Sequence, residues 1–313
     1  MIPEGRKVSL NKQILAKQAL KVLSTHKRAC KLCPRECKVD RVQKQGFCRT
    51  SFKPKIAGYE PHFGEEACLV GEKGSGAIFF SGCNLACVFC QTYEISHLGI
   101  GQEISPVQLA DIMLELQKKG CHNINLVSPS HQVYQIVESL ESAFNRGLFL
   151  PIVYNTGSYD KLETLEALEG IVDIYLADFK LWTPELCARY LGARDYPEIA
   201  RKAIKEMYRQ VGDLVLDEQG MARKGLIVRH LVMPGLLKET EKILAFLKEE
   251  LSPEIYLNLM GHYHPAGKAS DFPEINRPLT KSEYEEALKL AKDLGFSKID
   301  NTHRSLLDLL LLD

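Results

Sequence analysis

From Ala77 to Leu294 the chain alternates short apolar runs with longer amphipathic ones, and this alternation narrows the possible folds more than any other feature. Strands are expected at 77–81, 123–128, 151–156, 172–177, 225–233 and 255–260. Helices are expected at 106–119, 132–146, 160–169, 184–210, 237–250 and 280–294. Two helix starts carry their own chemistry. Ser105-Pro106 sets a capping residue before a proline at the first helical position, and Thr280-Lys-Ser-Glu283 is a capping box. The long 184–210 segment should break near Tyr196-Pro197, because proline has no backbone N–H to give a helix interior. Six strands with helices between them predict an α/β fold whose parallel sheet has right-handed crossovers. In such folds function gathers at the C-terminal ends of the strands.

The first expected strand runs directly into Phe80-Ser-Gly-Cys-Asn-Leu-Ala-Cys-Val-Phe-Cys-Gln91, which places Cys83, Cys87 and Cys90 at CxxxCxxC spacing. Four thiolates would close every corner of a [4Fe–4S] cluster. Three on one tight loop leave an iron free to bind a small molecule, as an open zinc position does. A second set, Cys30, Cys33, Cys37 and Cys48, forms CxxCxxxC followed ten residues later by the fourth cysteine. Four ligands make a closed site, suited to a structural or electron-transfer role. Zinc and an iron–sulfur centre both accept four thiolates, and the spacing leaves the two open. Cys68, Cys121 and Cys187 have no partners at ligand spacing and read as small buried residues.

A chain of 313 residues, 45% hydrophobic and 26% charged, can bury a large core. No apolar run approaches the roughly 20 residues of a membrane helix. The start, Met1-Ile-Pro-Glu-Gly-Arg-Lys, has no apolar stretch of the secretory kind, so no signal peptide is expected. Ten cysteines then point to metal or redox chemistry rather than disulfides. A cluster with an open iron needs a reducing compartment, and a cytoplasmic location is expected. The net charge is zero, yet fifteen Lys and Arg face only Glu4, Glu36 and Asp40 through Lys55, a local +12. Such a segment suits an acidic partner, or a solvated surface that also neutralises an anionic metal–thiolate centre. Residues 9–26 read as a helix capped by Ser9, and 54–76, with Gly58, Pro61, Gly64, Gly71, Gly74 and Gly76, as irregular.

The cysteine loop, with Phe89 before its third cysteine, resembles the signature of the radical SAM superfamily. The order of four N-terminal cysteines, Gly64-Glu-Glu and Phe79-Phe-Ser-Gly-Cys83 is similar to a branch labelled as pyruvate formate-lyase activating enzyme homologues. The resemblance implies a partial (β/α)6 barrel over 61–300, a Cys-rich helical extension over 1–60 and a tail over 301–313. It implies a [4Fe–4S] cluster on Cys83, Cys87 and Cys90, and S-adenosylmethionine (SAM) on the open iron. Where relatives carry Gly-Gly-Glu-Pro to hold the SAM amine, this chain has Ser128-Pro-Ser-His131, so Ser128 and Ser130 take that place. Tyr154-Asn-Thr-Gly-Ser158 resembles the activating enzyme's Asp-Thr-Asn-Gly and offers Asn155 and Thr156. Leu176-Ala-Asp-Phe-Lys180 looks like its Asp-Leu-Lys, which sets Asp178 beside a monovalent cation and Lys180 against SAM. Asn155 stands where that enzyme has an acid, so one carboxylate rather than two would face the cation. Arg229 and Leu231 line up with positions near SAM, and His264 with a histidine that touches the nucleoside.

The implied activity is reductive cleavage of SAM to a 5′-deoxyadenosyl radical, which abstracts hydrogen from a protein, peptide or small molecule. A glycyl radical enzyme is one such substrate. The electron would come from an acidic flavodoxin or ferredoxin docked on the basic segment. Tyr93, His97, Tyr159, Trp182, Met233 and Tyr263 lie near expected strand ends and are candidates to line the site; no catalytic side chain is assigned. The rival reading makes the basic four-cysteine segment a nucleic-acid-binding knob. Interleaved aromatics would support it, but only Phe47 and Phe52 lie there.

Overall fold

The computed structural model describes residues 4–300. The expected tail, 301–313, lies outside the described residues. The strands are β1 (Lys55–His62), β2 (Ser75–Phe80), β3 (Gln102–Glu103), β4 (Ile124–Val127), β5 (Ile152–Thr156), β6 (Ile174–Asp178), β7 (Val215–Leu216), β8 (Ala222–Leu231), β9 (Tyr256–Met260) and β10 (Ile299–Asp300). The helices are α1 (Glu4–Leu23), α2 (Ala67–Val70), α3 (Tyr93–Ser96), α4 (Pro106–Lys118), α5 (Val133–Asn145), α6 (Leu162–Glu166), α7 (Pro184–Leu191), α8 (Tyr196–Val211), α9 (Leu237–Glu250) and α10 (Lys281–Asp293).

The six expected strands are β2, β4, β5, β6, β8 and β9, and all run parallel as neighbours in that order, with β10 added beyond β9. On the other side β1 pairs antiparallel with β2, and β3 antiparallel with β1. The two outermost strands, β3 and β10, are not paired to each other, so the sheet stays open. This is the α/β architecture of a partial barrel.

The parallel strands β2, β4, β5, β6 and β9 are buried on both faces along most of their length, as in parallel sheets generally. Alternate residues face outward: Ile124, Leu126, Tyr154, Tyr175, Val228 and Leu257 join the larger core together with the helices. The intervening residues face inward. Val153, Ile174, Leu176 and Ile227 enclose Cys68 and Leu69 of α2 in a separate apolar cluster. One turn of helix therefore plugs the sheet's inner face, with Leu69 fully buried and its carbonyl taking a hydrogen bond from Asn123 Nδ2 (2.8 Å).

Residues 54–76 are thus not irregular. Gly58 and Pro61, which suggest a loop, sit in β1, whose outer neighbour β3 pairs only with Lys55 and Ile56. Beyond that pair the outer edge of β1 is unpaired, and a proline there costs no ladder bond. Other departures are local. The expected 9–26 helix begins at Glu4, and Ser9, expected as its cap, instead donates from its hydroxyl to Leu148 O (2.6 Å) as α1 packs along α5. The 160–169 helix shortens to α6. The 184–210 helix breaks as expected, at Gly192–Asp195: Gly192 takes φ 64° at the end of α7, and Pro197 lies in the first turn of α8. The expected capping box on Thr280 with Glu283 forms, and the expected cap on Ser105 proves to be a capping box too, with Gln108.

Behind the sheet, His230 is buried. It bonds Phe179 O through Nδ1 (2.7 Å) and Thr240 Oγ1 through Nε2 (2.9 Å), as a neutral imidazole can. Burial holds its pKa down at about 4, against 6.5 in the unfolded chain. As pH falls below 6.5 the unfolded chain binds a proton that the fold refuses, so stability is lost from 6.5 down to about 4, at about 1.4 kcal/mol per pH unit for one group. Urea midpoints should therefore drop between pH 6.5 and 4.5, and His230→Asn, which keeps the bond to Phe179, should flatten that drop. An unchanged slope would rule out a neutral buried His230.

Candidate active site

The cysteine loop leaves the C-terminal end of β2. Its backbone is fixed by bonds that do not involve the thiols: Gly82 N–H to Ile95 O (2.9 Å), Ala86 N–H to Leu191 O (2.9 Å) and Val88 N–H to Tyr190 O (2.9 Å). Only glycine fits at 82. Its φ is +77°, and a Cβ there would lie 2.1 Å from the carbonyl oxygen of Cys48. Asn84 ties the loop to the end of β5 by donating to Tyr159 O (2.6 Å).

The three thiols differ in environment. Burial pushes Cys83 up to about 11 and Cys87 higher still. Burial would also raise Cys90, but hydrogen bonds with His97, Ser96 (3.1 Å) and Thr92 outweigh it and bring the thiol down to about 7. Among the described residues, no three His, Cys, Asp or Glu side chains converge on a point that would hold a single metal ion. Cys83, Cys87 and Cys90 all lie on the one loop that leaves β2, the arrangement expected of three ligands to one cluster. Thiolates are the ligands such a cluster takes, so this donor set fits it.

The strand ends beside the loop carry a charged network. Asp178, closing β6, accepts from Lys180 Nζ (2.7 Å) and Arg229 Nε (2.7 Å). Arg229, on β8, also bonds Glu65 Oε2 (3.0 Å) and Asn155 Oδ1 (2.7 Å). Glu65 Oε1 accepts from Asn155 (3.0 Å) and Asn125 (3.2 Å). Two carboxylates and two cations balance. The opposing charges hold Asp178 below the usual carboxylate range despite its burial, and Asp178 raises Lys180 in turn. The side chain of Lys180 runs close to Gly157, which in turn lies against Leu85 of the cysteine loop.

Four of the residues expected at SAM, Asn155, Asp178, Lys180 and Arg229, therefore meet. Leu231 is half-buried two residues beyond Arg229 on the same face of β8. Ser128 ends β4 in a left-handed conformation (φ 59°), its N–H on Asn155 O (2.9 Å). Ser130 and Thr156 bond each other (3.1 Å), and Thr156 bonds the buried Asp160, so their hydroxyls hold two loops together instead of facing a ligand. His264 is exposed and bonds only the nearby His262 O (3.2 Å) among the contacts described. Both oxygens of Asp178 are engaged by side-chain cations, which already supply the positive charge a monovalent cation would bring.

Of the lining candidates, Trp182 stacks on Phe179 and under Arg201 on the helical side of the sheet. Tyr159 bonds Asp195, and Tyr263 bonds Ile275 O (2.8 Å). These three serve packing. Tyr93 stacks on His97 (4.4 Å between ring centres) beside Cys90. The sequence reading missed Glu65, Glu66, Asn125 and Asn258; the last donates to Glu66 (2.8 Å). Two adjacent carboxylates before an apolar tetrapeptide were the available signal. The basic N-terminal segment is partly spent within the fold: Lys12 pairs with Asp173, Arg28 with Asp40, and Arg41 is buried.

Residues 77–247, from β2 into α9, match the model of the radical SAM superfamily. The chain belongs to that superfamily. An uncharacterised protein of Methanocaldococcus jannaschii is 35% identical over 283 residues, covering 86% of this radical SAM chain and 76% of the relative. Among solved structures, Streptococcus suis SuiB matches at 11% identity with a TM-score of 0.47, over 70% of this chain and 46% of its own length. A form of SuiB bound to SAM matches at 12% and 0.46, over 68% and 45%. A domain of pyruvate-formate lyase-activating enzyme from Bacteroides vulgatus matches at 15% and 0.37, over 63% and 91%. The chain thus spans under half the length of SuiB. Membership rests on the family model and the archaeal relative. The superfamily's [4Fe–4S] cluster and SAM are accordingly the cofactors of this radical SAM enzyme. Among the described residues, no helix is long and apolar enough to cross a membrane.

Proposed function

We propose that this enzyme abstracts a hydrogen atom from a protein, peptide or small molecule admitted to the barrel mouth, a glycine of a glycyl radical enzyme being one candidate. When bound, the cluster and SAM together supply the 5′-deoxyadenosyl radical that performs the abstraction. Cys83, Cys87 and Cys90 would hold the cluster and leave one iron open to SAM. The buried side-chain layer beneath keeps bulk water from the inner face, while Lys180 and Asp178 offer a donor and an acceptor to the polar groups of SAM. What supports this reading is the shared position of the cysteine loop and the Lys180–Asp178–Arg229–Asn155 network at one end of the parallel strands.

Lys180→Met tests it. A charge-assisted hydrogen bond contributes about 1.5–3 kcal/mol, so the variant should need roughly 10- to 100-fold more SAM for half-maximal formation of 5′-deoxyadenosine, at unchanged iron content. An unchanged SAM requirement would remove Lys180 from the site.

A further inference from the structure

Cys30, Cys33, Cys37 and Cys48 take no part in the chemistry above, yet all four line one cavity, whose wall also includes Arg35, Arg41, Phe47, Asn84 and His131. The cavity adjoins the catalytic loop. Asn84 belongs to both, its carbonyl accepts from Arg35 Nε (2.8 Å), and the Cys48 carbonyl lies against Gly82. The backbone carrying the thiols turns through three left-handed non-glycine residues, Glu36 (φ 36°), Lys38 (φ 55°) and Arg49 (φ 61°). Conformations of this kind persist only where their surroundings over-determine them.

The polar groups on its wall say what the cavity takes. Arg41 is 1% exposed; its terminal nitrogens bond His131 O, Thr50 Oγ1 and Ser51 O, but its Nε has no partner among the described residues. Arg35 stacks on Phe47 (4.0 Å to the ring centre) and on Tyr159 (5.1 Å), and its buried Nη2 likewise lacks a partner among the described residues. Buried donors are nearly always satisfied. Two unused guanidinium donors on a wall of four cysteines, with no carboxylate among the lining residues, call for an anionic acceptor.

We propose that Cys30, Cys33, Cys37 and Cys48 hold a second [4Fe–4S] cluster, with Arg35 and Arg41 donating to its sulfurs. Four thiolates leave it no open iron, so it is a redox centre that does not bind SAM. The inference is independent of the substrate reading.

The test uses the full chain with Cys83, Cys87 and Cys90 all changed to alanine, reconstituted anaerobically with iron, sulfide and zinc present. About four irons per chain should remain, with a paramagnetic signal on dithionite reduction that SAM does not alter. About one zinc and no iron, a folded protein free of metal, or a signal that SAM shifts would each overturn the proposal. Should that variant fail to fold, Cys33→Ser with Cys37→Ser in the otherwise intact chain should lower iron from about eight to about four per chain. Iron unchanged at about eight, or about four already in the intact chain, would overturn it.

Discussion

Cys87→Ala, reconstituted anaerobically and given dithionite and SAM, should form no 5′-deoxyadenosine. The thiol is 8% exposed and stands between the other two in a loop whose backbone bonds run to Ile95, Leu191 and Tyr190, none of which needs the sulfur. The loop should keep its course without the thiol, and the thermal midpoint should change far less than activity does. Loss of a ligand, not loss of fold, is then the cause. Cys87→Ser, which keeps size but offers a harder donor, should be equally inactive. A variant lacking all three thiols that still cleaved SAM at the unaltered rate would end the assignment of the cluster to this loop.

Arg229→Ala should be the most destabilising single change in the site. It strips Asp178 and Glu65 of their shared partner at positions where the three side chains are 15%, 9% and 15% exposed. Breaking a buried pair by removing one member costs about 3–5 kcal/mol, because a charge stays behind uncompensated. Lys180 offsets part of this at Asp178, but nothing else cationic bonds Glu65 among the contacts described. Arg229→Lys should recover only part of the loss. One ammonium cannot reproduce the planar fork that reaches Asp178, Glu65 and Asn155 together. Urea unfolding of the metal-free protein measures both variants. A cost under about 1 kcal/mol for the alanine change, the range of exposed pairs, would mean that the network is solvated and does not organise the barrel floor.

Local chemistry made much of the molecule legible in advance. Ser105 and Thr280 cap the helices they announce, Gly192 and Pro197 part α7 from α8, and six apolar runs become six parallel strands. The CxxxCxxC loop needs only its spacing and the preceding strand. These signals lie within a few residues of their effects. Asn155, Asp178, Lys180 and Arg229 came from resemblance, and the fold does bring them together.

What remained hidden depends on residues far apart in the chain. Pro61 and Gly58 look like loop residues until β1 is seen to have an almost unpaired outer edge. Ser130 and Thr156 look like ligands until Asp160 is seen to claim them. Glu65 and Glu66 look like surface acids beside an apolar turn. Only when β4 to β9 wrap that turn does Leu69 become the plug, and only then do the carboxylates meet Arg229 and Asn258. By itself the sequence determined the six parallel strands, the main helices between them, the caps on Ser105 and Thr280 and the thiol spacing, because each follows from backbone geometry and near-neighbour periodicity. The tertiary structure alone decided which polar groups share the inner face, because burial and charge pairing depend on which strands become neighbours.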